Sequence, residues 1–112
     1  MKYKHYAPKA PLVLVDGKYD DVLTFLNKEQ HASNCAILCY TEDVQYLEDK
    51  LLLPIGSKHD LIMQAKMLFA RLRECDALEP DIIYAHLPTK EGLGLALYNR
   101  MIRAAAHTVK KI

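Results

Sequence analysis

Leu12-Val13-Leu14-Val15, closed by Asp16-Gly17, is a short aliphatic run with no polar alternation. A strand with one wet face alternates apolar and polar residues, so a continuous run marks a strand covered on both faces. Three more such runs follow. Cys35-Ala36-Ile37-Leu38-Cys39-Tyr40 is a second buried strand, and Asp81-Ile82-Ile83-Tyr84-Ala85-His86-Leu87 a fourth. Between them, Leu51-Leu52-Leu53-Pro54-Ile55-Gly56 carries a proline, which lacks the N–H a central strand needs, so it reads as irregular or as an edge.

The segments between these runs have helical period. Val22, Phe25 and Leu26 oppose Asp21, Lys28 and Glu29 over residues 20–31. Thr41 offers an N-cap, with Glu42 and Asp43 in the first turn of a short helix to about Lys50. Ser57 and Asp60 resemble a capping box ahead of Leu61, Ala65, Leu68, Phe69, Leu72 and Cys75. That helix should stop before Pro80, because the residue preceding a proline disfavours helical backbone. A loop from Pro88 to Gly94 leads into a long helix reaching about His107, and Val109-Lys110-Lys111-Ile112 can add a terminal strand. Strand–helix alternation with doubly buried strands predicts α/β: a small three-layer α/β/α Rossmann-like domain with a mostly parallel four- or five-stranded sheet. Residues 12–112 form this domain, and residues 1–11 read as a linker leading into it.

A chain of 112 residues, 51% hydrophobic and 26% charged, supports one core and is too apolar to be disordered. No apolar run approaches the ~20 residues of a bilayer span, and nothing near Met1 reads as a signal peptide. Three cysteines cannot pair completely, and Cys35 and Cys39 would lie about 13 Å apart along one strand, too far to share a bond or a metal. Buried reduced thiols and a cytoplasmic location are expected. The formal charge of +1 is unevenly spread. Residues 1–11 hold Lys2, Lys4 and Lys9, and residues 100–112 hold Arg100, Arg103, Lys110 and Lys111, both without an acid.

Ligands of parallel sheets usually bind beyond the carboxyl ends of the strands. Those ends are Asp16-Gly17, Tyr40-Thr41, Gly56-Ser57 and Leu87 to Gly94. Gly92 and Gly94 at a helix start are candidates for anion binding, although the dinucleotide fingerprint is missing and a tight turn explains them equally well. His86 ends a strand in this region, but no carboxylate or Cys stands beside it at ligand spacing. No metal set, no nucleophile–base pair and no complete catalytic machinery can be argued. Lys2-Tyr3-Lys4-His5-Tyr6 is the unusual segment, with aromatic faces for stacking interleaved with donors for phosphates.

Met1-Lys2-Tyr3-Lys4-His5-Tyr6-Ala7-Pro8-Lys9-Ala10-Pro11-Leu12 resembles the segment joining the two domains of the long form of threonylcarbamoyl-AMP synthase. Leu68-Phe69-Ala70-Arg71-Leu72-Arg73-Glu74-Cys75-Asp76 is similar to a stretch of that family's smaller domain. Gly92-Leu93-Gly94-Leu95-Ala96-Leu97-Tyr98-Asn99-Arg100-Met101 is similar to another. The resemblance implies an accessory C-terminal domain whose partner in cis is a YrdC-type catalytic domain. That nucleotidyltransferase condenses threonine, bicarbonate and ATP (with Mg) into threonylcarbamoyl-AMP and pyrophosphate, for tRNA threonylcarbamoyladenosine modification.

By the same resemblance Tyr3, Lys4, His5 and Tyr6 would be linker residues closing over the nucleotide in the catalytic domain. No catalytic residue, metal or cofactor of this chain's own is implied, so the isolated chain should be inactive. Neither a membrane nor direct tRNA contact is expected. Met1 coincides with an internal Met of the family, so a domain boundary is expected at the start. The rival reading is a stand-alone nucleotide- or anion-binding regulatory module using Gly92 and Gly94.

Overall fold

The computed structural model describes residues 7–112. Five strands form one sheet: β1 (Leu12–Asp16), β2 (Cys35–Cys39), β3 (Leu52–Pro54), β4 (Ile82–His86) and β5 (Val109–Lys111). Their order is β3-β2-β4-β1-β5, and every pairing is parallel. The helices are α1 (Tyr19–Ala32), α2 (Leu61–Leu78) and α3 (Gly94–Ala104), with a 3-10 helix over Thr41–Tyr46. The sheet is thus all parallel, and the proline-bearing β3 takes an edge, where a missing N–H costs nothing.

Alternation along each strand divides the core into two layers. Leu12, Leu14, Ala36, Leu38, Ile83 and Ala85 face α2 and α3, meeting Leu68, Leu72, Leu97 and Met101. Val15, Cys35, Ile37, Cys39 and Tyr84 face α1, meeting Val22, Leu23 and Leu26. The connections β1–α1–β2 and β2–β3 step toward one edge on the α1 side, where Leu47 joins the core. The connections through α2 and α3 step back toward the other edge on the opposite face. Reversing both direction and face preserves a single crossover hand, the one that a right-twisted sheet favours.

Element ends differ from the periodicity in instructive ways. The segment after β2 is a 3-10 helix ending at Tyr46, not an α-helix to Lys50. Its N-cap is Tyr40, whose N–H donates to Asp43 Oδ2 at 2.9 Å. The cap of α2 is Asp60, which accepts from the Met63 N–H at 3.0 Å, while Ser57 turns away from the helix. The left-handed Glu79 ends α2 ahead of Pro80, as the proline requires. α3 stops three residues short of His107, because Ala106 and His107 adopt positive φ and the His107 N–H bonds back to the Ile102 carbonyl.

All three cysteines are buried and free. Burial pushes the Cys39 and Cys75 thiols up to about 12 and raises that of Cys35, so none is a ready thiolate. Among the described residues no helix is long and apolar enough to cross a membrane.

Gln30 fastens the α1 layer to the segment that follows the 3-10 helix. Its side chain is buried, donating to the Glu48 carbonyl at 2.9 Å and accepting from the Glu48 N–H at 3.0 Å. Gln30→Ala strips partners from two backbone groups at once and should cost about 1–3 kcal/mol. Urea unfolding checks this.

Candidate functional site

Register brings four loops to one place. Val15 of β1 pairs with His86 of β4, and Cys39 of β2 with Pro54 of β3, so these strands end side by side. At β1/β4 and at β2/β4 the neighbouring strands send their connections to opposite faces, which opens a crevice at the carboxyl ends. A cavity of about 300 Å³ lies there, walled in part by Asp16, Tyr19, Tyr40, Lys58, His59 and His86.

The floor of the crevice is a buried charge network. The His86 Nε2 stands 2.7 Å from Asp43 Oδ2, and the two side chains are 7% and 0% exposed. The same oxygen accepts the Tyr40 N–H, while Oδ1 accepts the Tyr19 hydroxyl at 2.5 Å. A carboxylate can only accept, so Nε2 carries the hydrogen in this contact. The imidazole also stacks on Tyr40, with centroids 4.1 Å apart, and on Tyr19, at 5.8 Å. Ring position and tautomer are therefore both set before any ligand arrives.

Burial works against ionisation of Asp43, but His86, the Tyr19 hydroxyl and the Tyr40 N–H outweigh it and hold the carboxyl below its ordinary value. Burial and Asp43 together drive the Tyr19 phenol well up, and the Tyr40 phenol rises to about 12. Both tyrosines stay neutral donors at physiological pH. Nearby, Glu42 accepts the Ser57 hydroxyl at 2.5 Å and the Lys58 N–H at 2.9 Å, which lowers its carboxyl to about 2. The Lys58 ammonium rests 4.0 Å above the centre of the Tyr19 ring.

The candidates read from sequence fare differently. His86 lies in the site, and its carboxylate partner comes from 43 residues away, where no spacing rule could find it. Asp43 was legible only as a first-turn acid, and Tyr19, Tyr40 and Lys58 carried no signal beyond lying near strand ends. Gly92 and Gly94 lie in the turn that opens α3. A Cβ on Gly94 would stand 2.3 Å from Thr89 Cγ2 and 2.6 Å from the Thr89 carbonyl oxygen, and Gly92 has a φ of +57°. The Gly94 N–H donates to the Glu91 carbonyl at 3.0 Å. Packing and turn geometry thus account for both glycines without a ligand. Tyr3, Lys4, His5 and Tyr6 lie outside the described residues.

A second hollow, between α2 and α3, is lined by Leu61, Ala65, Leu93, Ala96 and Leu97, with Lys66 and Arg100 also on its wall. It is mostly apolar and holds no acid, whereas the strand-end crevice gathers His, Tyr, Lys and Asp side chains. Among the described residues no group of three or more His, Cys, Asp or Glu is placed to hold a metal.

Asp43→Ala leaves one buried and two part-buried donors without their acceptor and should cost about 1–3 kcal/mol at neutral pH. The folded-state value of Asp43 is depressed. Its contribution is therefore complete above the unfolded value of 3.8 and is lost as pH falls through the lower folded one. Glu42, moved from 4.5 to about 2, acts in the same direction. Denaturant midpoints of wild type and Asp43→Ala should accordingly converge as pH drops from 5 toward 2. A gap that stays constant would contradict the network.

A family model described as "Threonylcarbamoyl-AMP synthase, C-terminal domain" matches residues 1–106. The threonylcarbamoyl-AMP synthase of Bacillus subtilis is 30% identical over 110 residues, 97% of this chain and 32% of that protein. The crystal structure of Pyrococcus abyssi Sua5 complexed with L-threonine aligns with a TM-score of 0.78 at 27% identity, covering 100% of this chain and 33% of that one. A crystal structure of the C-terminal Sua5 domain from Pyrococcus horikoshii aligns at 0.68 and 25% identity, covering 95% of this chain and 100% of that one. The chain spans about a third of the curated relatives it matches. A five-stranded all-parallel α/β domain, matched by this family over nearly its whole length, belongs to the threonylcarbamoyl-AMP synthase C-terminal domain family.

Proposed function

We propose that this chain serves as the accessory C-terminal domain of an L-threonylcarbamoyladenylate synthase. In this reading a YrdC-type catalytic domain in cis condenses threonine, bicarbonate and ATP, releasing pyrophosphate, to supply tRNA threonylcarbamoyladenosine modification in the cytoplasm. One observation carries the proposal: the family match covers residues 1–106, through α3, while the relatives are about three times longer. The remaining two thirds of such a protein is where the reaction would take place. The L-threonine named with the Pyrococcus abyssi relative agrees with that substrate.

The role of residues 1–11 follows from chemistry and from where they lead. Tyr3, Lys4, His5 and Tyr6 offer two aromatic faces and two kinds of phosphate donor, suited to closing over a nucleotide in the partner domain. Beyond them the chain is anchored: the Lys9 N–H donates to Asp76 at 2.9 Å, Ala10 packs on the core, and the Pro11 carbonyl accepts the Ile83 N–H.

With ATP, threonine and bicarbonate, the isolated chain should release no pyrophosphate above background. In the two-domain protein, Tyr3→Ala or His5→Ala should lower kcat/KM for threonylcarbamoyl-AMP formation by roughly tenfold, the scale of one charge-assisted hydrogen bond or stacking contact. Turnover by the isolated chain would place catalysis in this domain, and unchanged kinetics in both variants would remove the closing role.

A further inference from the structure

The charges around the strand-end crevice are unequally satisfied. Both acids beside its floor are saturated from within the protein: Asp43 accepts three hydrogen bonds and Glu42 accepts two. The cations differ. Lys58 and His59 line the crevice, and among the described residues neither has a carboxylate within ion-pair distance. Lys58 rests on an aromatic face, which leaves its three N–H donors available. His86, more than nine-tenths buried, gives Nε2 to Asp43, and no described residue hydrogen-bonds Nδ1. The ring itself lines the cavity.

Such an arrangement selects the sign of a ligand. A cation would find Asp43 and Glu42 already occupied, leaving only Asp16 at the rim, and the described residues hold no metal cluster. An anion would find Lys58, His59 and, once protonated, His86 Nδ1–H. Asp43 holds the ring through Nε2, on the side away from Nδ1. Asp16 at the rim opposes an anion and sets the limit on its charge. The volume of about 300 Å³ lies at the small end of ligand pockets, enough for pyrophosphate or a mononucleotide.

We propose that the crevice at the carboxyl ends of β1, β2 and β4 binds a small phosphate-bearing ligand through Lys58, His59 and His86. This site lies on the folded domain itself and does not rest on the closing role of residues 1–11, so either reading can fail alone. The ligand is held by its phosphate, and Tyr19 and Tyr40 serve to position the donors.

Calorimetric titration of the 112-residue chain with inorganic phosphate, pyrophosphate and AMP tests the proposal, with NMR observation of the His86 ring nitrogens. Pyrophosphate and AMP should bind with one-to-one stoichiometry, inorganic phosphate more weakly, and all three should shift the His86 ring signals. Lys58→Ala and His59→Ala, both outside the core, should each weaken binding by about tenfold. Asp16→Asn should bind as tightly as wild type or more tightly. Absence of binding at millimolar ligand overturns the proposal. So does binding that Lys58→Ala leaves unchanged while the His86 signals stay still, because the ligand would then sit elsewhere. Binding of AMP alone also overturns it, since a nucleoside rather than a phosphate would be recognised.

Discussion

An all-parallel sheet can leave neither face bare, and that constraint governs the rest of this domain. Each strand has side chains on both faces, so every connection must carry enough apolar surface to cover one of them. Two connections go to one side and two to the other. β4, formed late in the chain, inserts between β1 and β2 and becomes the central strand. Its residues Ile83, Tyr84, Ala85 and His86 are all buried, and its carboxyl end is flanked by two junctions where neighbouring connections diverge. The crevice is a consequence of that topology, since no helix can cover the ends of strands whose followers leave in opposite directions.

Placing a histidine at the end of the central strand creates a problem that Asp43 solves. A buried imidazole needs a partner, and the 3-10 helix after β2 turns a carboxylate inward to meet it. One carboxylate then caps the 3-10 helix through the Tyr40 N–H, holds the first residue of α1 through Tyr19, and fixes the His86 tautomer. Three elements are tied by a group whose own desolvation is unfavourable. Its contribution is therefore best regarded as specifying one arrangement of the loops rather than as adding much net stability over an apolar packing. The α1 layer is held at its other end by hydrogen bonds of Gln30 to the Glu48 backbone and of the Tyr84 hydroxyl to Glu29 at 2.8 Å.

Much of the fold was legible because strand burial and helix period are local properties. The four apolar runs became β1, β2, β3 and β4 within a residue or two, Pro54 marked an edge, and Val109–Lys111 added the fifth strand. Caps were less legible. Thr41 and Ser57 have the right chemistry for N-caps, but neighbouring groups took over, as Asp43 reached back to Tyr40 and Ser57 turned to Glu42. The end of α3 was overestimated because Ala106 and His107 adopt positive φ, which neither residue type signals. The resemblance of Leu68–Asp76 and Gly92–Met101 to one family was readable directly, and the family match over residues 1–106 agrees with it.

The sequence by itself determined the strand–helix alternation, the buried reduced cysteines and the family, because each depends on residue type at short spacing. Tertiary structure alone decided the strand order and, with it, the site. His86, Asp43, Tyr19 and Lys58 are dispersed over 68 residues of chain, and each is unremarkable where it stands. They meet because parallel strands end together on one side of the sheet, so the loops that follow them converge whatever their separation in sequence.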